Sequence, residues 1–191
     1  MKTEAFVLAV TARDRPGIIA AITEAVFALG GNVTELSQTV MGGYFTLILR
    51  ADLPAGLDPA RIKQAVEQAR PELGLAVHVR RYRPEPLFRP AEGAQVYFLT
   101  VQGPDRPGLI AAVTRFLAEH DVNIEDLYTR SETGNITMIF QIHPRDAGAL
   151  EGLRAGLPAL AERLGVDLHL LHRDILRTTS EVGAIRRLVQ P

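Results

Sequence analysis

No cysteine occurs in the chain, which excludes disulfides and thiolate metal sites. Lysine is nearly absent too: of 21 basic residues only Lys2 and Lys63 are lysine, and the formal net charge is −1. That balance removes the electrostatic basis for general nucleic-acid binding. No apolar run approaches the roughly 18–20 residues of a membrane span, and no charged-plus-apolar signal segment opens the sequence. A cytoplasmic location, with neither membrane nor nucleic acid as partner, is the expectation. Asparagine is scarce as well, with three in the chain, Asn32, Asn123 and Asn135. Two of them turn out to be equivalent.

What is present is a duplication. Asp14-Arg15-Pro16-Gly17-Ile18-Ile19-Ala20-Ala21 returns as Asp105-Arg106-Pro107-Gly108-Leu109-Ile110-Ala111-Ala112, shifted by 91 residues. The same shift carries Thr23 onto Thr114, Asn32 onto Asn123, Leu36 onto Leu127, Thr46 onto Thr137 and Ile48 onto Ile139. The chain therefore holds two copies of one small domain of about 80 residues, a size at which a single core is marginal.

Patterning within each copy predicts the order βαββαβ. In the first, Glu4–Val10 reads as a strand and Pro16 suits the first helical position. Ile18, Ile22, Ala25, Val26 and Leu29 keep helical spacing up to Gly30-Gly31. A strand with imperfect alternation over Val33, Leu36 and Val40 leads to a hairpin at Met41-Gly42-Gly43 and a returning strand Tyr44–Leu49. A second helix from Asp58-Pro59 and a strand Leu75–Tyr82 complete it. The second copy repeats the order from Gln95 to His172.

The predicted fold class is α+β: two ferredoxin-like domains, each a four-stranded antiparallel sheet with two helices on one face. The expected division is 1–83 for the first domain, 84–93 for a Pro-rich linker, 94–172 for the second, and 173–191 for a tail in which Ser180 could cap a short helix. Phe6 and Leu8, or Phe45 and Leu47, could populate either face of the first sheet, and the uncovered face is expected to meet a partner.

Each first helix offers amides without helical acceptors and a partial positive charge at its amino end, which suits a carboxylate. Glycine at the entry lets a ligand approach the backbone. Asp14 and Asp105 fit the same site if the ligand is a zwitterion, its carboxylate on the amides and its ammonium facing the aspartate. Asn32 and Asn123 can both donate and accept, but within one unit they lie at the far end of the helix. An interface site, completed by a neighbouring domain, is the consequence.

Asp-Arg-Pro-Gly followed about 15 residues later by Gly-Asn-Val or Val-Asn-Ile resembles the ACT domain, a small regulatory module of amino-acid metabolism. The tandem pair, without a catalytic domain, is similar to the glycine cleavage system transcriptional repressor family. The resemblance implies an amino acid, glycine first, bound between the turn of one domain and the second strand of its neighbour. It implies Asp14, Gly17, Ile18 and Asn32, and Asp105, Gly108, Leu109 and Asn123, as binding residues. The expected partners are that amino acid and a regulator protein, with pairing inside one chain or in a homodimer. Ala12 and Gly103 stand where some members carry a histidine used for serine.

No cofactor and no metal site is expected: His169 and His172, three apart on a strand, point to opposite faces. Tyr44, Phe45 and Phe6 imitate the aromatic pattern of RNA-recognition sheets, but Asn135 and Ile136 replace the first two in copy two. No catalytic set is expected either, since no nucleophile motif or paired carboxylate and histidine stands out. Glu35 and Asp126 read as exposed polar positions. The reading is a non-enzymatic amino-acid sensor, its rival an interaction module without ligand.

Overall fold

The computed structural model describes residues 2–84 and 95–173, which belong to two compact units. The first unit runs β1 (Thr3–Arg13), α1 (Ile18–Ala28), β2 (Asn32–Met41), β3 (Tyr44–Pro54), α2 (Pro59–Ala69) and β4 (Ala76–Arg81). The second runs β5 (Tyr97–Pro104), α3 (Leu109–Glu119), β6 (Val122–Glu132), β7 (Asn135–Pro144), α4 (Ala147–Leu164) and β8 (Asp167–His172). The expected linker lies outside the described residues except for Pro84. So does the tail except for Arg173, including the cap expected at Ser180.

Each unit is a four-stranded antiparallel sheet, ordered β2-β3-β1-β4 and β6-β7-β5-β8. The βαββαβ order and the α+β class are as the sequence predicts. Alternation decides the faces. Phe6, Leu8 and Val10 of β1 and Leu47, Leu49 and Ala51 of β3 are buried together with Ile18 and Ile22 of α1 and Ile62 and Val66 of α2. Phe6, Leu8, Phe45 and Leu47 thus all face the helices, which settles the alternative left open by the pattern. The second core repeats this with Leu99, Val101, Met138 and Phe140 against Leu109, Val113, Leu153 and Leu157. Each such side chain contributes about 1.5–3 kcal/mol by leaving water.

Local signals account for the element ends. Asp58 caps α2 through Ala60 N–H at 2.9 Å with Pro59 in the first helical position, and Asp146 caps α4 through Ala149 N–H at 2.9 Å. Gly42 and Gly43, with φ of 58° and 78°, form the tight hairpin between β2 and β3, a backbone that requires left-handed residues at both centres. Among the described residues no helix is long and apolar enough to cross a membrane.

Candidate functional site

The repeated turn is built from the sheet outward. Where β1 ends, the Asp14 N–H donates to Gly43 O at 3.0 Å, tying the turn to the β2–β3 hairpin; Asp105 N–H does the same to Gly134 O at 2.8 Å. The chain then enters the helix through a left-handed glycine, Gly17 at φ 95° and Gly108 at φ 85°. The first helical bonds are Ala21 N–H to Gly17 O and Ala112 N–H to Gly108 O, each 2.9 Å. Pro16 is therefore not the first helical residue: Gly17 is the cap, and its positive φ places the proline in the turn before it. No side chain caps either helix, so the amides of Ile18, Ile19 and Ala20 are left without intrahelical acceptors. In the second unit the equivalent Leu109 N–H makes a 3.3 Å turn bond to Arg106 O, which leaves Ile110 and Ala111.

Both aspartates are exposed, while Ile18 and Leu109 bury their side chains in the cores. The Asp105 carboxylate accepts a hydrogen bond from Ser131 Oγ at 2.6 Å; the equivalent of Ser131 in the first unit is Val40, which has no hydroxyl to give. An open depression of about 820 Å³ lies over the second turn, with Asp105, Gly108, Leu109 and Ile110 on its wall beside Gly134 and Ile136. In the first unit a cation is added instead. A Cβ built on Gly17 would stand 3.5 Å from Arg70 Nη1, and Arg70 Nη2 lies 3.6 Å from Glu24. The hairpin residues and Arg70 were beyond sequence reasoning, since only the fold carries them to the turn.

Asn32 and Asn123 sit at the opposite end of each sheet. Asn32 pairs with Asp52, which pairs with Ala5 on β1, nine residues before Asp14. At ~3.3 Å per residue that is about 30 Å. Within one unit the structure does not bring the asparagine to the turn.

Beside each asparagine a β-bulge interrupts the edge strand, between Val33 and Glu35 and between Ile124 and Asp126. The bulged residues, Thr34 and Glu125, turn toward β3 and β7. Thr34 Oγ1 accepts from Arg50 Nε at 3.1 Å. Glu125 Oε2 meets Gln141 Nε2 and lies 2.6 Å from His143 Nε2, while His143 Nδ1 is buried with no partner among the described residues. A carboxylate–histidine pair therefore exists, contrary to the sequence expectation, because the bulge changes which residues of β6 face β7. The His143 hydrogen bond, opposed by desolvation and helped by Gln141, holds the Glu125 carboxyl below its ordinary 4.5. A lowered folded-state value stabilises above the unfolded pKa and is lost as pH falls through the folded one. Glu125→Gln is expected to flatten the acid limb of a stability–pH curve below about pH 4.5. The difference at neutral pH should stay below about 1 kcal/mol, because Glu125 is half exposed.

The remaining residues singled out by the sequence lie elsewhere on the two sheets. His78 and His169 occupy the same exposed register position, opposite Ala9 and Thr100. His172 is on the other face, its ring edge-on to Tyr97 with centroids 5.1 Å apart. Phe6 and Phe45 are buried while Tyr44 is exposed beneath Arg13, so the three make no stacking platform. Glu35 and Asp126 are exposed, Glu35 with Arg50 at 3.5 Å and Asp126 on the Leu127 N–H at 2.9 Å.

Comparison with known proteins shows the same division. Residues 4–80 and 95–170 each match the ACT domain family. A UPF0237 protein of Methanopyrus kandleri is 36% identical over 85 residues, 44% of this chain and 94% of its own. One from Corynebacterium diphtheriae is 34% identical over 74 residues, 38% of this chain and 83% of its own. Both are therefore similar to a single unit. Among solved structures, an unknown protein from Galdieria sulphuraria superposes with a TM-score of 0.71 at 29% identity, covering 90% of this chain and 99% of its own. A protein provisionally assigned as a glycine cleavage system transcriptional repressor gives 0.67 at 21% identity, covering 90% and 98%, and shares the fold. With the motif, the βαββαβ sheet and the match present twice, the chain belongs to the ACT domain family and carries two copies of the domain.

Proposed function

We propose that this chain is a non-catalytic regulatory protein that senses a small amino acid, glycine in first place, and signals through a protein partner. The ligand's carboxylate lies on the free amides of α1 or α3 and its ammonium faces Asp14 or Asp105. Asn32 or Asn123 completes the site from another ACT unit. The observation that carries this reading is the pair of turns held open in the same way, each by a left-handed glycine and a bond to the hairpin. Glycine is placed first because the repeated Asp-Arg-Pro-Gly turn and the tandem pairing resemble the glycine cleavage system transcriptional repressor family. A ligand that bridges two units favours the arrangement it bridges and so alters the surface a partner reads.

A thermal-shift screen of the twenty amino acids tests this. A sensor gains about 2.7 kcal/mol at a ligand concentration one hundred times Kd, and Asp14→Ala with Asp105→Ala should remove the gain. The rival reading, a ligand-free pairing module, draws on the exposure of nearly all of β2 and of Met41 and Tyr44 at its hairpin. It is the reading that survives if no amino acid raises the melting temperature.

A further inference from the structure

The face of the first sheet turned away from its helices holds a hollow of about 180 Å³. Its floor is Val7 and Ile48; its walls are Ser37, Glu35, Arg50 and the ring of Tyr82. These residues share a face by register: Val7 pairs with Arg50, Ser37 with Ile48, and Glu35 with Arg50, while Tyr82 N–H continues the β1–β4 ladder to Ala5 O at 2.8 Å. The hollow shares no residue with the turn site, so the two can be tested apart.

The second unit supplies the comparison. Under the 91-residue shift Val7 becomes Phe98, Ser37 becomes Tyr128 and Arg50 becomes Gln141, while Ile48 keeps its identity as Ile139. The pairings are the same, Phe98 with Gln141 and Tyr128 with Ile139. Ile139 is 6% exposed and Ile48 59%. One copy carries two rings of its own at this place, and the other carries a valine, a serine and a hollow.

The size and the charges of the hollow define what fits. At about 180 Å³ it is smaller than the ~300–1,000 Å³ of pockets for drug-sized ligands, so nucleotides and large cofactors are excluded. Arg50 is held in place: its Nε donates to Thr34 Oγ1 at 3.1 Å, its guanidinium lies 5.1 Å from the Tyr82 ring centre, and Nη1 is 3.5 Å from Glu35. The rim thus presents a cation and an anion side by side over an apolar floor. A simple carboxylic acid would meet repulsion from Glu35, and a simple amine would meet it from Arg50. A zwitterion satisfies both and leaves the charge of the rim unchanged, and an aliphatic side chain removes Val7 and Ile48 from water.

We propose that this hollow is a second binding site, for a free α-amino acid with an aliphatic side chain of about the size of leucine. The test uses the full chain and leucine as probe. Leucine at 10 mM should raise the melting temperature on the order of 5 °C for a millimolar Kd. It should shift the methyl resonances of Val7 and Ile48; 4-methylpentanoate and 3-methylbutylamine should do neither, and glycine should leave those two methyl resonances unmoved. Val7→Phe and Ser37→Tyr, which copy the second unit, should abolish the leucine effect, whereas Asp14→Ala with Asp105→Ala should leave it intact. The proposal is overturned if leucine leaves those methyl groups unmoved, or if its effect survives both ring substitutions. It is equally overturned if the effect disappears with the two aspartates, which would assign leucine to the turns.

Discussion

Phe6→Ala is expected to lower the unfolding free energy by about 3–5 kcal/mol, while Val7→Phe, one residue along the same strand, changes it by less than about 1 kcal/mol. The contrast follows from the period of a strand. Phe6 is fully buried between the sheet and both helices, so truncation loses its burial and leaves a cavity that a close-packed core cannot refill. Val7 points to the other side, where the hollow has room for a ring and the second unit already places Phe98. A domain of about 80 residues has a small margin, and globular stabilities run to roughly 5–15 kcal/mol, so the first change approaches the whole of it. Urea melts would read the loss as a lower midpoint at unchanged slope. Equal losses for the two variants would mean that the faces of β1 have been assigned the wrong way round.

Much of the fold was legible because the signals are local. The Asp58 start of α2 and the Gly42-Gly43 hairpin lie within a few residues of what they determine, and the duplication is a single shift of 91 residues. The irregular spacing of Val33, Leu36 and Val40 was visible too, and its cause is the bulge after Val33: Leu36 and Val40 pair with Leu49 and Phe45 on the helix side, as Val33 does with Ala51. What the pattern could not supply was anything decided by register. Alternation separates Phe6 from Val7 but does not say which set the helices cover. The bulge in β6 puts Glu125 against His143, 18 residues away, and no periodicity announces that meeting. Arg70 reaches Gly17 only because the end of α2 lies beside the start of α1. Pro16 was misplaced by two positions for a different reason. A proline suits the first turn of any helix, but here the left-handed Gly17 delays the helix past it.

That glycine gives the second large effect. Gly108→Val is expected to cost about 1–3 kcal/mol, since a β-branched residue at φ 85° is strained whatever its surroundings. A Cβ there would meet nothing within 4 Å, so the loss is backbone strain and not a clash inside the unit. Gly108→Asn separates the two roles of the position. Asparagine tolerates left-handed backbone better than other side chains, so the fold should be nearly kept, yet its amide projects into the depression where the ligand would lie on the amides of Ile110 and Ala111. Thermal stabilisation by the amino acid should then fall for the second site while the parent melting temperature changes little. The matching change at Gly17 is less clean, because Arg70 lies next to it and a new side chain would also disturb a cation. If Gly108→Asn keeps the full stabilisation while Gly17→Asn removes it, the first turn is the sensor and the second a structural copy. If both variants keep it, the amino acid is held somewhere other than at these helix ends.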